Sequence, residues 1–174
     1  DDIDPDRIYL VGASYGAITG TVALAREPRF KAGVLVVGGG HVPTMLNAPM
    51  IREEVPGAVL AVAKPVVHWL MGVADPVRHA GGTAGTPVLM QNGSADRLVS
   101  PESGERLYEA LGEPKTIEWY DIDHPGLRDG DGPEIVRMLD DGLAWLQAQD
   151  QAVLAQLDRD EAAQTAAAGE PEAG

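Results

Sequence analysis

The stretch that decides the fold is Arg-Ile-Tyr-Leu-Val-Gly-Ala-Ser-Tyr-Gly, residues 7–16. Its first half, residues 7–11, is a nearly continuous apolar run, which is typical of a strand buried on both faces of a parallel sheet. Its second half is a tight turn of small residues around Ser14. The segment 17–27 then has the pattern of a helix with small residues on one side, and Pro28 ends it.

The rest of the chain repeats this alternation of strand and helix. Apolar segments at 31–37, 87–91 and 116–122 predict three more strands, and helical patterns run from 100 to 111 and onward from 133. Strands that alternate with helices pair in parallel and are covered on both faces. We therefore predict an α/β fold with a parallel, doubly wound sheet.

The segment 41–85 departs from this pattern. It is rich in Pro, Gly and Ala and holds two helical stretches, 56–72 and 75–80, so we predict a short helical cap inserted over one end of the sheet. Its larger apolar side chains either line a substrate pocket or pack against one another and the sheet, and packing is the expectation for most of them. They are Met45, Leu46, Met50, Trp69, Leu70 and Met71.

Composition limits the class of protein. The chain has 174 residues, 44% of them apolar, with no Cys and a formal charge of −14. The apolar fraction excludes wholesale disorder, and the lack of Cys excludes a disulfide scaffold and a zinc–thiolate site. The charge disfavours nucleic acid and anionic membranes, and no segment approaches the ~20 apolar residues of a membrane span. A soluble domain is predicted.

Residues 12–16, Gly-Ala-Ser-Tyr-Gly, match the G-x-S-x-G pattern. In that pattern a Ser lies on a strained turn between a strand and a helix, so only small residues fit two positions to either side. The strain exposes the hydroxyl, and the new helix directs its N-terminal amides at the same point. Ser14 is therefore a candidate nucleophile. The alternative is an ordinary Gly-rich turn.

A serine nucleophile needs a base, and the base needs an acid to orient it. Of the four His residues, His124 directly follows the fourth predicted strand and so lies at the carboxyl edge of the sheet, as Ser14 does. His41 follows the second strand at the same edge, where it either lines a pocket or is a loop residue. His68 and His79 lie in helical stretches and are expected to be structural.

Asp96 is the candidate acid, because it lies in the turn that leaves the third predicted strand, at the same carboxyl edge. Asp is also common in turns, so a turn role stays open. Asp121 and Asp123 are too close in sequence to His124 to approach the far side of its ring. Asp75 fits a helix cap.

Residues 4–16 resemble the nucleophile region of α/β-hydrolases, especially the dienelactone-hydrolase-like and prolyl-oligopeptidase-like groups. Residues 87–101 resemble their acid segment and residues 122–124 their histidine segment, and the order Ser, Asp, His is the order of those families. The resemblance implies that Ser14 is the nucleophile, and that the candidate acid and base complete a triad. Dienelactone hydrolases themselves have Cys at the nucleophile position, which argues against dienelactone as substrate.

The resemblance covers roughly residues 3–147 and only the C-terminal half of the family's sheet. It implies an α/β-hydrolase domain over 1–157 that lacks its N-terminal strands and, with them, the loop that carries one oxyanion amide. The remaining oxyanion donor is the backbone amide of Tyr15. Because the chain opens with Asp1 rather than Met, we expect a partial gene product. The Ala- and Glu-rich tail, 158–174, is expected to be frayed or disordered.

Together these inferences indicate a serine hydrolase that cleaves carboxylic esters through an acyl-enzyme intermediate, with no metal or organic cofactor. The expected substrate is a small ester or short peptide, in contact with Tyr15 and His41. The alternatives are a serine peptidase of prolyl-oligopeptidase type and a non-catalytic partial hydrolase domain. Because the first predicted strand would have a neighbour on one side only, its exposed edge also predicts self-association.

Overall fold

The computed structural model describes residues 3–168 and places four parallel strands in one sheet, in the order β1-β2-β3-β4. The strands are β1 (Ile8–Ala13), β2 (Phe30–Val36), β3 (Val88–Gly93) and β4 (Lys115–Tyr120). The α-helices are α1 (Tyr15–Leu24), α2 (Val42–Met45), α3 (Pro49–Glu54), α4 (Gly57–Met71), α5 (Pro101–Ala110) and α6 (Gly132–Ala168). The predicted α/β arrangement is confirmed.

Alternation along the central strands builds one apolar core on each face of the sheet. Val34 and Val36 pack toward α6, whereas Leu35 between them packs toward α1 and α5. In the same way Leu89 and Met90 of β3 face opposite layers. Each fully buried side chain of this size contributes about 1.5–3 kcal/mol. Helices therefore cover the sheet on both faces.

The strand β1 has a neighbour on one side only within residues 3–168, as the sequence predicts. Its other edge is open, and Val11 is 62% exposed there. The helix α6 secures the start of β1, because Asp150 accepts hydrogen bonds from Arg7 at 2.7 Å and from the Tyr9 hydroxyl at 2.8 Å. Burial and the bond to Asp150 raise the pKa of Tyr9 to about 12.

The cap contains more helix than the sequence predicts. The sequence patterns do not predict α2 and α3, whereas α4 matches the expected stretch 56–72. Two short 3-10 turns, Pro76–Arg78 and Ala80–Thr83, replace the helix expected over 75–80.

The large apolar side chains of the cap divide into two sets of three. Met45, Leu46 and Met50 are half-buried, as expected. The expectation of packing is wrong for the other three, because α4 lies on the outside of the cap. These exposed residues are Trp69, Leu70 and Met71.

The last helix is longer than its sequence pattern indicates. The helix α6 continues to Ala168 and so extends into the segment where a tail is expected from residue 158. Residues 169–174 of that expected tail lie outside the described residues. Over the described part of the chain, no helix combines the length and the apolarity needed to cross a bilayer.

Candidate active site

Ser14 lies between the end of β1 and the start of α1, with a left-handed backbone at φ 53° and ψ −115°. A non-glycine residue in such a conformation costs about 1–3 kcal/mol. Its amide donates to the carbonyl oxygen of Val36 at 2.8 Å, which ties the strained turn to β2. Its hydroxyl makes no capping bond to α1. The side chain is therefore free to face another partner.

The two glycines around Ser14 differ in what they make room for. A Cβ at Gly12 would lie 2.6 Å from the carbonyl carbon of Gly16, a contact that real side chains do not make. A Cβ at Gly16 would meet no atom within 4 Å. The steric requirement predicted for both positions holds here for Gly12 alone.

We expect Gly12→Ala to distort the turn, with a loss of about 1–3 kcal/mol in the free energy of unfolding, because backbone atoms cannot yield to the added methyl group. Gly16→Ala is the matched control, since its methyl group enters open space in the first turn of α1. Urea unfolding followed by circular dichroism would compare the two. Equal stability of both variants would contradict the steric argument.

His124 follows β4 and is buried, with 8% of its surface exposed. Its Nε2 lies 2.9 Å from the Ser14 hydroxyl oxygen, and its Nδ1 lies 2.8 Å from Oδ2 of Asp96. An ionised carboxylate only accepts hydrogen bonds, so that contact assigns the ring proton to Nδ1. Nε2 is then left to accept from the Ser14 hydroxyl. The arrangement is able to move a proton from that hydroxyl to the ring.

Asp96 is buried in the turn after β3. Its Oδ1 accepts from the backbone amides of Leu98, at 2.8 Å, and Val99, at 2.7 Å, while Oδ2 accepts from His124. The turn role that the sequence leaves open and the contact with the histidine are thus both present, one on each oxygen. Three donors hold the carboxylate in a single orientation.

Asp123 holds the histidine loop in place without touching the histidine ring. Its carboxylate instead accepts from the backbone amide of His124 at 2.7 Å, a contact that the sequence does not predict. It also accepts from Arg97, at 2.9 Å from the amide and 2.7 Å from Nε. The Arg97–Asp123 pair therefore joins the same two loops as the Asp96–His124 pair. The sequence signal for this ion pair is Arg97, a basic residue that directly follows the candidate acid Asp96.

We expect Asp123→Asn to lower the melting temperature, because it removes the charge from bonds to Arg97 and His124. Burial acts to raise the pKa of Asp123, but the hydrogen bonds from Arg97 and His124 outweigh it and lower that pKa below its ordinary 3.8. A lowered folded-state pKa stabilises the protein above the unfolded-state pKa, and the effect is lost as pH falls through the folded value. The difference in melting temperature should be constant above about pH 5 and shrink in acid. A difference that does not change with pH would contradict this.

The other two predicted substrate contacts lie in different surroundings. Tyr15 is the first residue of α1, so its amide has no acceptor inside the helix, and its side chain is exposed. His41 has φ 62° and belongs to the cap, where its Nδ1 lies 2.7 Å from the Thr44 hydroxyl. Its amide donates to Asp75 at 2.9 Å. Tyr15 therefore lies next to Ser14 at the start of α1, whereas His41 is bonded to residues of the cap.

The remaining polar candidates lie in the cap. Asp75 caps the 3-10 turn that follows it, through a bond from the Val77 amide, as predicted for a helix start. His79 lies 2.8 Å from the carbonyl oxygen of Val73, and the ring of His68 lies 6.5 Å from that of His41. Within residues 3–168, His, Asp and Glu side chains form no group of three that could share a metal ion.

A cavity of about 580 Å³ lies between α1 and the cap. Tyr15 is part of its wall, whereas Ser14 and His41 are not. Three polar side chains of the wall are bonded within the protein: Asp75 to backbone amides, His79 to the carbonyl oxygen of Val73, and the Thr19 hydroxyl to the carbonyl oxygen of Tyr15. The rest of the wall is mainly apolar, including Ile18, Val22, Met45, Leu46, Ile51 and Val67.

The chain matches the prolyl oligopeptidase family over residues 1–123. It is 26% identical over 139 residues to the esterase YjfP of Escherichia coli, a match that covers 74% of this chain and 52% of that protein. This chain thus spans about half the length of the curated relative.

Two solved structures share the fold. One is acetyl xylan esterase 1 from a Thermoanaerobacterium species, with a TM-score of 0.59 and 21% identity over 80% of this chain and 47% of that one. The other is a puromycin-hydrolysing peptidase of Mycobacterium tuberculosis, with a TM-score of 0.63 and 24% identity over 84% of this chain and 22% of that one. These likenesses confirm the predicted α/β-hydrolase fold. The chain forms a part of that fold.

Proposed function

The chain belongs to the prolyl oligopeptidase family of serine hydrolases, and from that membership we propose that it carries the catalytic triad of an esterase. The observation that carries the proposal is the hydrogen-bonded series from Ser14 through His124 to Asp96. A curated relative of this chain is an esterase, which supports esters over amides as substrates. No metal or organic cofactor takes part in the proposed reaction.

In the first half of the reaction, the Ser14 oxygen attacks the ester carbonyl carbon while its proton passes to Nε2 of His124. Asp96 holds the Nδ1–H and stabilises the imidazolium that forms. The Tyr15 amide, at the positive end of α1, donates to the oxyanion. The tetrahedral intermediate collapses as His124 protonates the leaving alcohol, and an acyl-serine remains.

In the second half, water attacks the acyl carbon and gives a proton to His124. The carboxylic acid leaves as Ser14 recovers its proton from the ring. Loss of one oxyanion donor typically lowers turnover about 10²–10³-fold. With the Tyr15 amide as the single assigned donor, we expect slow hydrolysis by the 174-residue chain.

The alternative activity is that of a serine peptidase, which the likeness to a puromycin-hydrolysing peptidase favours. The same triad serves both reactions, so the leaving group is what distinguishes them. Turnover of p-nitrophenyl esters but not of peptide p-nitroanilides would support the esterase. Labelling of Ser14 by a fluorophosphonate tests the third reading, a non-catalytic domain, because only an activated hydroxyl reacts.

We expect kcat/KM to rise with acyl length from p-nitrophenyl acetate to the octanoate, since the apolar cavity lies next to Tyr15. Each methylene that enters it is worth about 0.8 kcal/mol, or roughly fourfold in kcat/KM. Val67→Phe, which narrows the cavity, should flatten the rise and leave acetate unchanged. Acetate as the best substrate of the native chain would contradict an acyl group in this cavity.

Self-association through the open edge of β1 is also part of the proposal. The Ser14 amide donates to β2, and the direction of the N–H and C=O groups alternates from residue to residue along a strand. The N–H and C=O groups of Val11 and Ala13 therefore point away from β2. Unpaired backbone groups of this kind are a template for another strand.

A further inference from the structure

The helix α4 buries little of its own surface within the described chain. Of its 15 residues only Leu60 is buried, although the helix is apolar on nearly every side. A helix with that composition is ordinarily surrounded by protein. Within the described chain α4 packs mainly against the short helix α2. Its outer face, which is the side that carries Val59, Val62, Val66 and Trp69, is exposed to solvent.

The exposed residues of α4 have the spacing of a helix-packing seam. Val59, Val62, Val66 and Trp69 follow one another at intervals of three, four and three residues, with Leu70 beside them. All five are between 52% and 78% exposed. Alternating intervals of three and four residues keep a stripe in contact with one neighbouring helix. The spacing therefore fits a helix as the occupant of this face, rather than a strand.

The stripe is also symmetric about Val66. Val62 and Leu70 lie four residues to either side of it, and both are exposed. An antiparallel copy of α4, related by a two-fold axis at Val66, would set Val62 of each copy against Leu70 of the other. Two-fold interfaces require such self-complementarity. We propose that α4 is a dimer interface whose partner is α4 of a second copy of this chain.

The charge distribution favours contact at this face. The chain carries a formal charge of −14, so two copies repel one another over most of their surface. Lys64 is the only Asp, Glu, Lys or Arg in α4, and it donates to Asn47 of the cap, on the opposite side of the helix from Val66. The ring of His68 likewise faces His41 of the cap. The outer stripe therefore brings no charge against its copy.

The size of the contact sets its strength. A 15-residue helix is about 22 Å long, so one helix pair gives an interface at the small end of the range for specific complexes. We therefore expect a reversible dimer with a dissociation constant in the micromolar range.

The test is sedimentation velocity on the whole chain over a range of micromolar concentrations. Val11→Lys is present throughout, because a lysine at the open edge of β1 blocks strand pairing there. The expected result is a monomer–dimer equilibrium. Val66→Glu and Val66→Lys should each be monomeric, since like charges meet at the axis, and an equimolar mixture of the two should restore the dimer. Val136→Glu, at a site 57% exposed on α6, is the matched control and should still dimerise.

A cross-linking experiment checks the same axis independently. The chain has no Cys, so oxidation of Val66→Cys should give one covalent dimer and oxidation of Val136→Cys should not. A Val11→Lys chain that is monomeric at every concentration would overturn the proposal, as would dimerisation of the separate Val66→Glu and Val66→Lys variants. Binding of a monomeric chain to phosphatidylcholine vesicles, lost in Val66→Glu, would identify a lipid surface instead. None of these measurements depends on hydrolysis.

Discussion

Replacing Ser14 with Ala should lower the rate of p-nitrophenyl ester hydrolysis at least about 10³-fold, because it removes the proposed nucleophile. The hydroxyl is 2.9 Å from the Nε2 that would take its proton, and it makes no capping bond to α1 that the substitution would also remove. His124→Ala should be nearly as severe, since the two side chains act in one step. Turnover on the longest soluble form of the protein is the measurement.

Stability provides the control for this experiment. Ala keeps the Cβ of Ser14 at φ 53°, so the melting temperature of Ser14→Ala should change little. Ser14→Gly should be equally inactive but more stable by about 1 kcal/mol or more, because glycine relieves the left-handed strain. Equal turnover by the native chain and Ser14→Ala would refute the assignment of a serine hydrolase.

Asp96→Asn should lower turnover on the order of 10³–10⁴-fold while the fold is kept. The amide oxygen of Asn can still accept from Leu98 and Val99, but its NH₂ group would then face Nδ1 of His124. The ring would have to move its proton to Nε2, the atom that lies beside the Ser14 hydroxyl. A histidine in that tautomer cannot accept the serine proton.

Asp121→Asn is the matched control for Asp96→Asn. Asp121 directly follows β4, at the same carboxyl edge, but its side chain is 84% exposed and pairs, within residues 3–168, with Arg128. Asp75 is unsuited to this purpose, because it is buried and its carboxylate holds the amides of His41 and Val42. Turnover by Asp96→Asn within about tenfold of the native value would show that Asp96 stabilises its turn and has no role in orienting His124.

The regular part of the fold was predictable from local patterns. The continuous apolar runs of β2 and β3 predict strands covered on both faces, and both strands are almost wholly buried. The sequence does not predict the helices α2 and α3, because they are only four and six residues long and carry no periodic apolar stripe. The exposure of α4 escaped it too, since an apolar pattern does not reveal whether the chain itself covers the helix.

The site was predictable as far as the ends of strands are concerned. Ser14, Asp96 and His124 each follow a different parallel strand, which predicts that they lie at one edge of the sheet, and the structure brings the three together. The structure places His41 in the cap, where its amide donates to Asp75 and its Nδ1 lies 2.7 Å from the Thr44 hydroxyl. Its contact with substrate stays a prediction. The sequence spacing correctly excludes Asp123 as the partner of the His124 ring, but it does not predict that Asp123 accepts from the His124 backbone amide.

By itself, the sequence determined the order of strands and helices and the chemical identity of the three side chains at one sheet edge. Those features depend on residues near one another in the chain, through apolar periodicity and the sterics of a glycine-flanked turn. Only the tertiary structure decided that Ser14 and His124, 110 residues apart, meet at hydrogen-bond distance, and that Arg97 and Asp123 join the two loops beside them. These contacts depend on the register of the strands and on how the helices pack against the sheet. Both are set by packing between segments that are distant in the chain.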